Sequence, residues 1–428
     1  MAENTSTILR NKLVYSVFPR NYTSSGSFKS VRDDLVRIRK LGTDIIWLMP
    51  IHPIGRKNRK GALGSPYAIS DYRAINPELG TMEDFIQLCQ AIHQQGMKVI
   101  IDVVYNHTSP DSKLLSEHPD WFYHHTDGHL GNRVADWSDI IDLDYQNHDL
   151  WDYQINTLKK WAQYVDGFRC DVAPLIPLDF WMTARQELEN FKPDLIWLAE
   201  SNDPDFIKRV RDSGFEDLSD GELYRAFDMV YDYDVLDDLH ETVAGKESVA
   251  EFSRLLQRQD IIYPKNYIKM RFLENHDVPR AAEYISGTKS LRNMIAFNLF
   301  EKGSSLIYAG EEFGNPHLPS LFDYDPVQLT GPYDFSMLIK RIMDVKHEQI
   351  NLFTKGAYNV TAINEEIIKL RYQNSMQQIT GYFAIHSFEG GIEADLENGI
   401  YKDVLSERDI VVKNNKLVFN GEPVIIIN

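Results

Sequence analysis

Cysteine is nearly absent: Cys89 and Cys170 are the only two in 428 residues. That leaves neither a disulfide framework nor a cysteine-based zinc site. No run of 18 apolar residues occurs, so no segment reads as a membrane span. Met1 to Arg10 carry neither a basic nor an apolar targeting region, and a cytoplasmic location is the expectation. Basic residues are outnumbered, 45 Lys and Arg against 63 Asp and Glu, giving a net charge of −18. Such a chain repels nucleic-acid phosphates and anionic membranes, and it suits a neutral substrate. No GxGxxG follows a candidate strand, and P-loop, HExxH and GxSxG motifs are missing. Dinucleotide, nucleoside-triphosphate, metalloprotease and serine-hydrolase chemistry therefore lack motif support. What is present, 43% hydrophobic and 25% charged residues, is an ordinary globular composition with ample core.

At about 150 residues per domain, the length suits one large barrel plus a small module. Val31, Leu35, Ile38 and Leu41 share a helical face that Gly42 is placed to end, and Asp44–Met49 follows as a buried strand. The unit repeats. Thr81 and Asp84 form a capping signature, Phe85, Leu88 and Ile92 an apolar stripe, Gly96 a stop, and Met97–Val104 the next strand. Further candidate strands are Leu13–Phe18, Asp166–Cys170, Leu195–Ala199, Ala226–Val230, Ile268–Leu273 and Leu306–Ala309. Eight near-continuous apolar strands, each followed by enough chain for a helix, predict an α/β fold, a (β/α)8 TIM barrel. Residues 107–145 break the rhythm after the third strand and read as an excursion over the barrel's C-terminal face. From 352 to 428 the helical period disappears. Runs such as Ile367–Tyr372, Gln378–Phe383 and Val424–Ile427, with turns at Asn414-Asn415 and Asn420-Gly421, predict an antiparallel β domain. The barrel is then expected over 1–106 and 146–351.

In such a barrel reactive groups sit at the C-terminal strand ends. The third strand ends in Asp102-Val-Val-Tyr-Asn106-His107, the fourth in Gly167-Phe-Arg169-Cys170-Asp171, the fifth in Glu200, and the seventh in Glu274-Asn275-His276-Asp277. Arg169 and Asp171, two apart, share a face, while Cys170 points into the helix layer. An Arg beside an Asp is expected to hold it ionised, as a carboxylate nucleophile requires. Glu200, among Asp171 and Asp277, is expected to keep a proton through like-charge repulsion. A nucleophile, a proton donor and a third carboxylate are the apparatus for glycosidic cleavage with retention, which calls for carboxyls about 5–5.5 Å apart. A structural ion pair explains any one of these residues; it does not explain four strand ends in this order.

The motifs DVVYNH at 102–107, GFRCD at 167–171, LAE at 198–200 and ENHD at 274–277 resemble glycoside hydrolase family 13, the α-amylase family. Ser65-Pro-Tyr67, Asp71-Tyr72 and LIYAGEEFG at 306–314 extend the resemblance across the barrel. It implies that Asp171 is the nucleophile, Glu200 the acid/base and Asp277 the transition-state stabiliser. It also implies substrate contacts from Tyr67, His107, Arg169 and His276, with Asp102 among them or supporting them. The excursion becomes a short domain B and the C-terminal module domain C.

Departures bear on specificity. The Lys-His pair common three and four residues after the nucleophile is Pro174-Leu175 here. This weakens the case for a structural calcium at Asn106, so no cofactor is required and calcium stays an alternative. Val172 is similar to members that cleave α-1,6 bonds, whereas Ile140-Ile-Asp-Leu-Asp144 is similar to the amylase form. The resulting expectation is a retaining hydrolase of α-glucosidic bonds, α-1,4 favoured, in malto-oligosaccharides or related α-glucans. An oligo-1,6-glucosidase or a transglycosylase on the same fold is the alternative, and a non-catalytic ancillary barrel protein a remote one. The polar cluster of His124, His125, His129 and Asp127 reads as a solvated loop, and Asp232, Asp234, Asp237 and Asp238 as a solvated helix start. Trp121, Trp137 and Trp151 are each core residues or sugar platforms. Oligomeric state is not readable.

Overall fold

The computed structural model describes residues 4–134 and 137–428. Eight parallel strands close into a barrel: β1 (Leu13–Val17), β2 (Ile45–Leu48), β3 (Lys98–Val103), β4 (Gly167–Cys170), β5 (Ile196–Ala199), β6 (Met229–Tyr231), β7 (Lys269–Arg271) and β8 (Ser304–Tyr308). They follow one another around the barrel in chain order, with β8 beside β1. Nearly every strand residue is buried, so the apolar runs serve both the barrel interior and the helix layer. The local signals act as expected. Thr81 and Asp84 cap each other at the start of helix Met82–Gln94, and Gly42 takes φ +94° where the first helical stretch stops. That stretch is two short helices, Phe28–Asp33 and Leu35–Lys40, divided at Asp34.

The sixth strand starts later than the sequence predicts. The carbonyl of Ala226 accepts from Arg185 at 2.8 Å and the Asp228 carboxylate pairs with the same guanidinium at 2.6 Å, holding 226–228 in a turn. The acidic run after it also differs. Asp232 and Asp234 are not solvated: they lie 2.6 Å from Arg271 and 2.6 Å from Lys269, respectively. Lys269 and Arg271 are two apart on β7, fully or almost fully buried, and need counter-charges from the neighbouring connection.

Between β3 and β4 the chain leaves the barrel and returns through a two-residue antiparallel ladder, His107–Thr108 against Ile141–Asp142. After the barrel come β9 (Ala357–Ala362), β10 (Ile367–Gln373), β11 (Gln378–Ala384), β12 (Gly390–Glu393), β13 (Gly399–Lys402), β14 (Asp409–Val412), β15 (Lys416–Phe419) and β16 (Val424–Ile427). The antiparallel sheet runs β9-β10-β11-β16, with β12–β15 and β13–β14 as pairs. Ile367, Tyr382, Leu417, Phe419 and Ile426 form a small core of its own. Tyr372 ties the sheet to the barrel by donating to the Phe300 carbonyl at 3.0 Å.

Candidate active site

Register brings the charged strand ends together. Asp102 on β3 is the cross-strand partner of Arg169 on β4, and Arg169 lies two residues from Asp171 on the same face. The Arg169 guanidinium has no exposed surface, and it binds three carboxylates: Asp102 at 2.9 Å, Asp171 at 2.6 Å and Glu200 at 2.5 Å. Three aromatic rings surround it, with centroids 5.1 Å away for Trp47, 5.6 Å for Tyr67 and 5.5 Å for Tyr231. Trp47 on β2 and Tyr231 on β6 have no motif around them, and only the folded barrel brings them to the site. Asp102 is fully buried and its oxygens serve Arg169 and the Tyr67 hydroxyl, at 2.9 and 3.2 Å. It supports the site from beneath and presents no surface to a sugar. Arg169, equally buried, orients carboxylates.

Burial raises both Asp171, to about 6, and Glu200, to about 7, while Arg169 pulls each down. The spacing of Arg169 and Asp171 predicts an acid held ionised; desolvation outweighs the guanidinium because the cation is shared three ways. At Glu200 burial exceeds the repulsion from Asp171 and Asp277. The residue after Asp171 adds a further contact. Val172 sits at φ +36°, ψ +44°, a left-handed conformation costly for a β-branched side chain, and its N–H donates to Glu200 Oε2 at 2.8 Å. Cys170 points away and is buried.

Across the mouth, His276 Nε2 lies 2.9 Å from Asp277 Oδ2 and 2.6 Å from the Tyr67 hydroxyl. The Tyr67 ring stacks on the His276 ring, centroids 5.4 Å apart and 13° between planes. The imidazole beside it holds the carboxyl of Asp277, whose side chain is 44% exposed, below its ordinary range. Asn275 accepts from the N–H groups of Asp277 and Val278 at 2.8 and 3.1 Å and donates to the Tyr233 hydroxyl at 2.9 Å, fixing this strand end. A cavity of about 320 Å³ above these groups is lined by Tyr67, His107, Asp171, Glu200, Asp277 and Trp137 among others. Of the three tryptophans weighed as sugar platforms, Trp137 is the one in this cavity. Trp121 stacks on His118 and Trp151 on His148, away from it.

Asn106 lies one residue before His107 and is fully buried. Its side-chain oxygen accepts from the Arg133 guanidinium at 3.2 Å. Asp142 takes the Arg133 N–H at 2.8 Å and lies 3.4 Å from the guanidinium. One oxygen of each residue thus faces a cation of the chain. Among the described residues no group of three or more His, Cys, Asp or Glu is disposed to hold a metal. The His124, His125 and His129 loop is largely exposed, with His129 paired to Asp127 at 3.2 Å. No described helix is long and apolar enough to cross a membrane.

The alpha-amylase catalytic-domain model matches residues 15–138 and 121–354, and the bacterial alpha-amylase C-terminal domain model matches 359–426. The alpha-1,4-glucan:maltose-1-phosphate maltosyltransferase of Pseudomonas aeruginosa is 35% identical over 228 residues, 47% of this chain and 34% of that protein. Alpha-amylase MalA of Haloarcula japonica is 27% identical over 325 residues, 71% of this chain and 44% of that protein. The chain therefore spans less than half the length of these curated relatives. Solved structures match end to end. An alpha-amylase from Lactobacillus plantarum is 48% identical with a TM-score of 0.96, covering 99% of this chain and 100% of the other. The maltogenic alpha-amylase AmyB from Thermotoga neapolitana is 34% identical with a TM-score of 0.87, covering 98% and 99%. By its matched models, its fold and the four ordered strand ends, the chain belongs to the α-amylase family, glycoside hydrolase family 13.

Proposed function

We propose that the protein is a retaining glycoside hydrolase that cleaves α-1,4-glucosidic bonds in malto-oligosaccharides or related α-glucans. The observation that carries this reading is the pair Asp171 and Glu200 on adjacent nitrogens of one guanidinium, at 2.6 and 2.5 Å. Two carboxyls held side by side in this way suit the close spacing of retaining enzymes, about 5–5.5 Å, better than the gap an inverting enzyme leaves for water. A carboxylate oxygen of Asp171 forms a bond to the anomeric carbon. The bond to the glycosidic oxygen breaks with its electron pair, and that oxygen takes the proton of Glu200. Water then attacks the anomeric carbon, gives a proton to Glu200 and releases Asp171. Asp277, ionised beside His276, stabilises the positive charge that develops on the sugar ring. Tyr67, His107 and His276 hold the sugar, and Asp102 and Arg169 hold the carboxylates that act on it. The net charge of −18 suits a neutral glucan, and two buried free cysteines suit the cytoplasm.

The α-1,4 preference is supported by the amylases among the full-length structural relatives. Transfer to a sugar acceptor is the second reading, favoured by the maltosyltransferase similarity over 47% of the chain. Panose, with one α-1,6 and one α-1,4 bond, separates the readings. Isomaltose plus glucose is the expected outcome. Glucose plus maltose would make the enzyme an oligo-1,6-glucosidase, and longer oligosaccharides as the main product would make it a transglycosylase.

A further inference from the structure

Two hollows differ in size and setting, and only the smaller contains the carboxylates. The one of about 320 Å³ contains Asp171, Glu200 and Asp277, and Lys60, Asp139, Leu321 and Phe322 line its outer side. The other, about 720 Å³, lies between the excursion and the β5-to-β6 connection, with Tyr123, Arg133, Leu175 and Phe215 in its lining. The proton donor tells which end of a glucan the outer side of the smaller hollow faces. Glu200 ends β5, which stands opposite β1 in the closed barrel. Lys60 belongs to the connection after β2, and Leu321 and Phe322 to the one after β8, so this outer side lies across the mouth from Glu200. A general acid acts from the leaving-group side of the bond it breaks. The far side therefore takes the glycone, whose chain runs toward its non-reducing end.

That far side is walled, and the wall is tied down. The Phe322 carbonyl accepts from the N–H groups of Leu63 at 2.9 Å and Gly64 at 3.2 Å, and Ala62 N–H donates to the Asp323 carboxylate at 2.8 Å. Buried Arg20, just past β1, donates to the Gly64 carbonyl at 3.1 Å and also to the Leu321 carbonyl. Asn21 beside it donates to the Ser320 carbonyl at 2.7 Å. Gly61 has φ +61°, and a Cβ there would lie 2.6 Å from the Phe322 Cβ, so glycine is what lets the two connections meet. On its other flank the wall reaches the excursion. Lys60 Nζ lies 2.8 Å from Asp139 Oδ1, and Asn58 donates to the Ser138 carbonyl at 3.1 Å. Asp139 is buried, so this carboxylate is anchored, and the 37% exposed Lys60 side chain closes onto it from the surface.

We infer that this wall makes the enzyme exo-acting, cleaving α-glucans a short, fixed distance from their non-reducing end. The chain end enters first and stops against Lys60, Asp139 and Phe322. The cavity of about 320 Å³ that meets this wall has room for a short glycone. The inference rests on the hydrolytic reading above, and one experiment separates the two. A chromogenic maltoheptaoside is offered uncapped, and also with an ethylidene cap on its non-reducing glucose.

The wild-type enzyme should cleave the uncapped substrate roughly a hundredfold faster, the discrimination a steric pocket can supply, and release one short sugar from the first minutes. Comparable rates on both, with products of mixed length, would overturn the inference and leave the hydrolase reading standing. Cleavage of neither would overturn the hydrolase reading and the inference with it. Lys60→Ala opens the latch and Phe322→Ala lowers the wall behind it. At least one of them should narrow the capped-to-uncapped gap by roughly tenfold. A gap unchanged in both would show that something other than this wall stops the chain.

Discussion

Three carboxylates on the buried Arg169 guanidinium leave its charge outnumbered, and the proton equilibria there follow from that imbalance and from burial. Burial sets Asp171 at about 6 and Glu200 at about 7, so the two forms the reaction needs, Asp171 ionised and Glu200 protonated, coexist between those values. kcat/KM should therefore be bell-shaped, with an acid limb near 6 where Asp171 gains a proton and an alkaline limb near 7 where Glu200 loses one. Glu200→Gln assayed with α-glucosyl fluoride, whose leaving group needs no proton, should lose the alkaline limb and keep the acid one. On ordinary maltosides the same variant should lose about 10²–10⁴-fold in rate. An alkaline limb that survives the substitution would take the acid role from Glu200. At this scale the strand period was enough to pair Arg169 with Asp171 from the sequence. It did not show the sign of the shift at Asp171, because desolvation depends on the barrel above and around the side chain, and no motif records it.

The excursion between β3 and β4 is held at its base by the charge of Arg133. Arg133 bridges Asn106 and Asp142 and reaches the ring of Tyr123, its guanidinium carbon 5.9 Å from the centroid. Asp142, with 2% of its side chain exposed, would be a buried unpaired carboxylate without it. A chelator should leave the wild-type Tm and kcat/KM unchanged within error. Arg133→Ala should lower the unfolding free energy by about 3 kcal/mol, the usual loss on breaking a buried pair. In that variant Asn106 and Asp142 regain free oxygens, and added calcium should recover part of the Tm. A fall in the wild-type Tm on chelation would contradict this account. The sequence marked residues 107–145 as an excursion because helix and strand periods both fail there. It gave no sign of Arg133, since a lone arginine in a polar loop resembles any solvated one. The wall of Lys60, Asp139 and Phe322 was hidden for a related reason: its parts come from three connections far apart in the chain.

The barrel as a whole turns four short motifs into one site, because parallel strands in chain order place β3, β4, β5 and β7 ends around one mouth. That architecture was legible: alternating apolar runs and capped helices gave all eight strands, with the sixth displaced by the Arg185 anchor. The buried ions on β7 were not, since Lys269 and Arg271 read as polar positions until their partners Asp234 and Asp232 are seen folded against them. The central claim is that Asp171 attacks the sugar and Glu200 completes the cycle. It is tested most directly by incubating Glu200→Gln with α-glucosyl fluoride, denaturing, digesting and weighing the peptides. Without the base that activates water the glycosyl-enzyme should accumulate, and one hexosyl unit should appear on the peptide carrying Asp171. The first sugar released by the wild type should be the α-anomer. No adduct at Asp171 together with a β-anomeric first product would contradict the account.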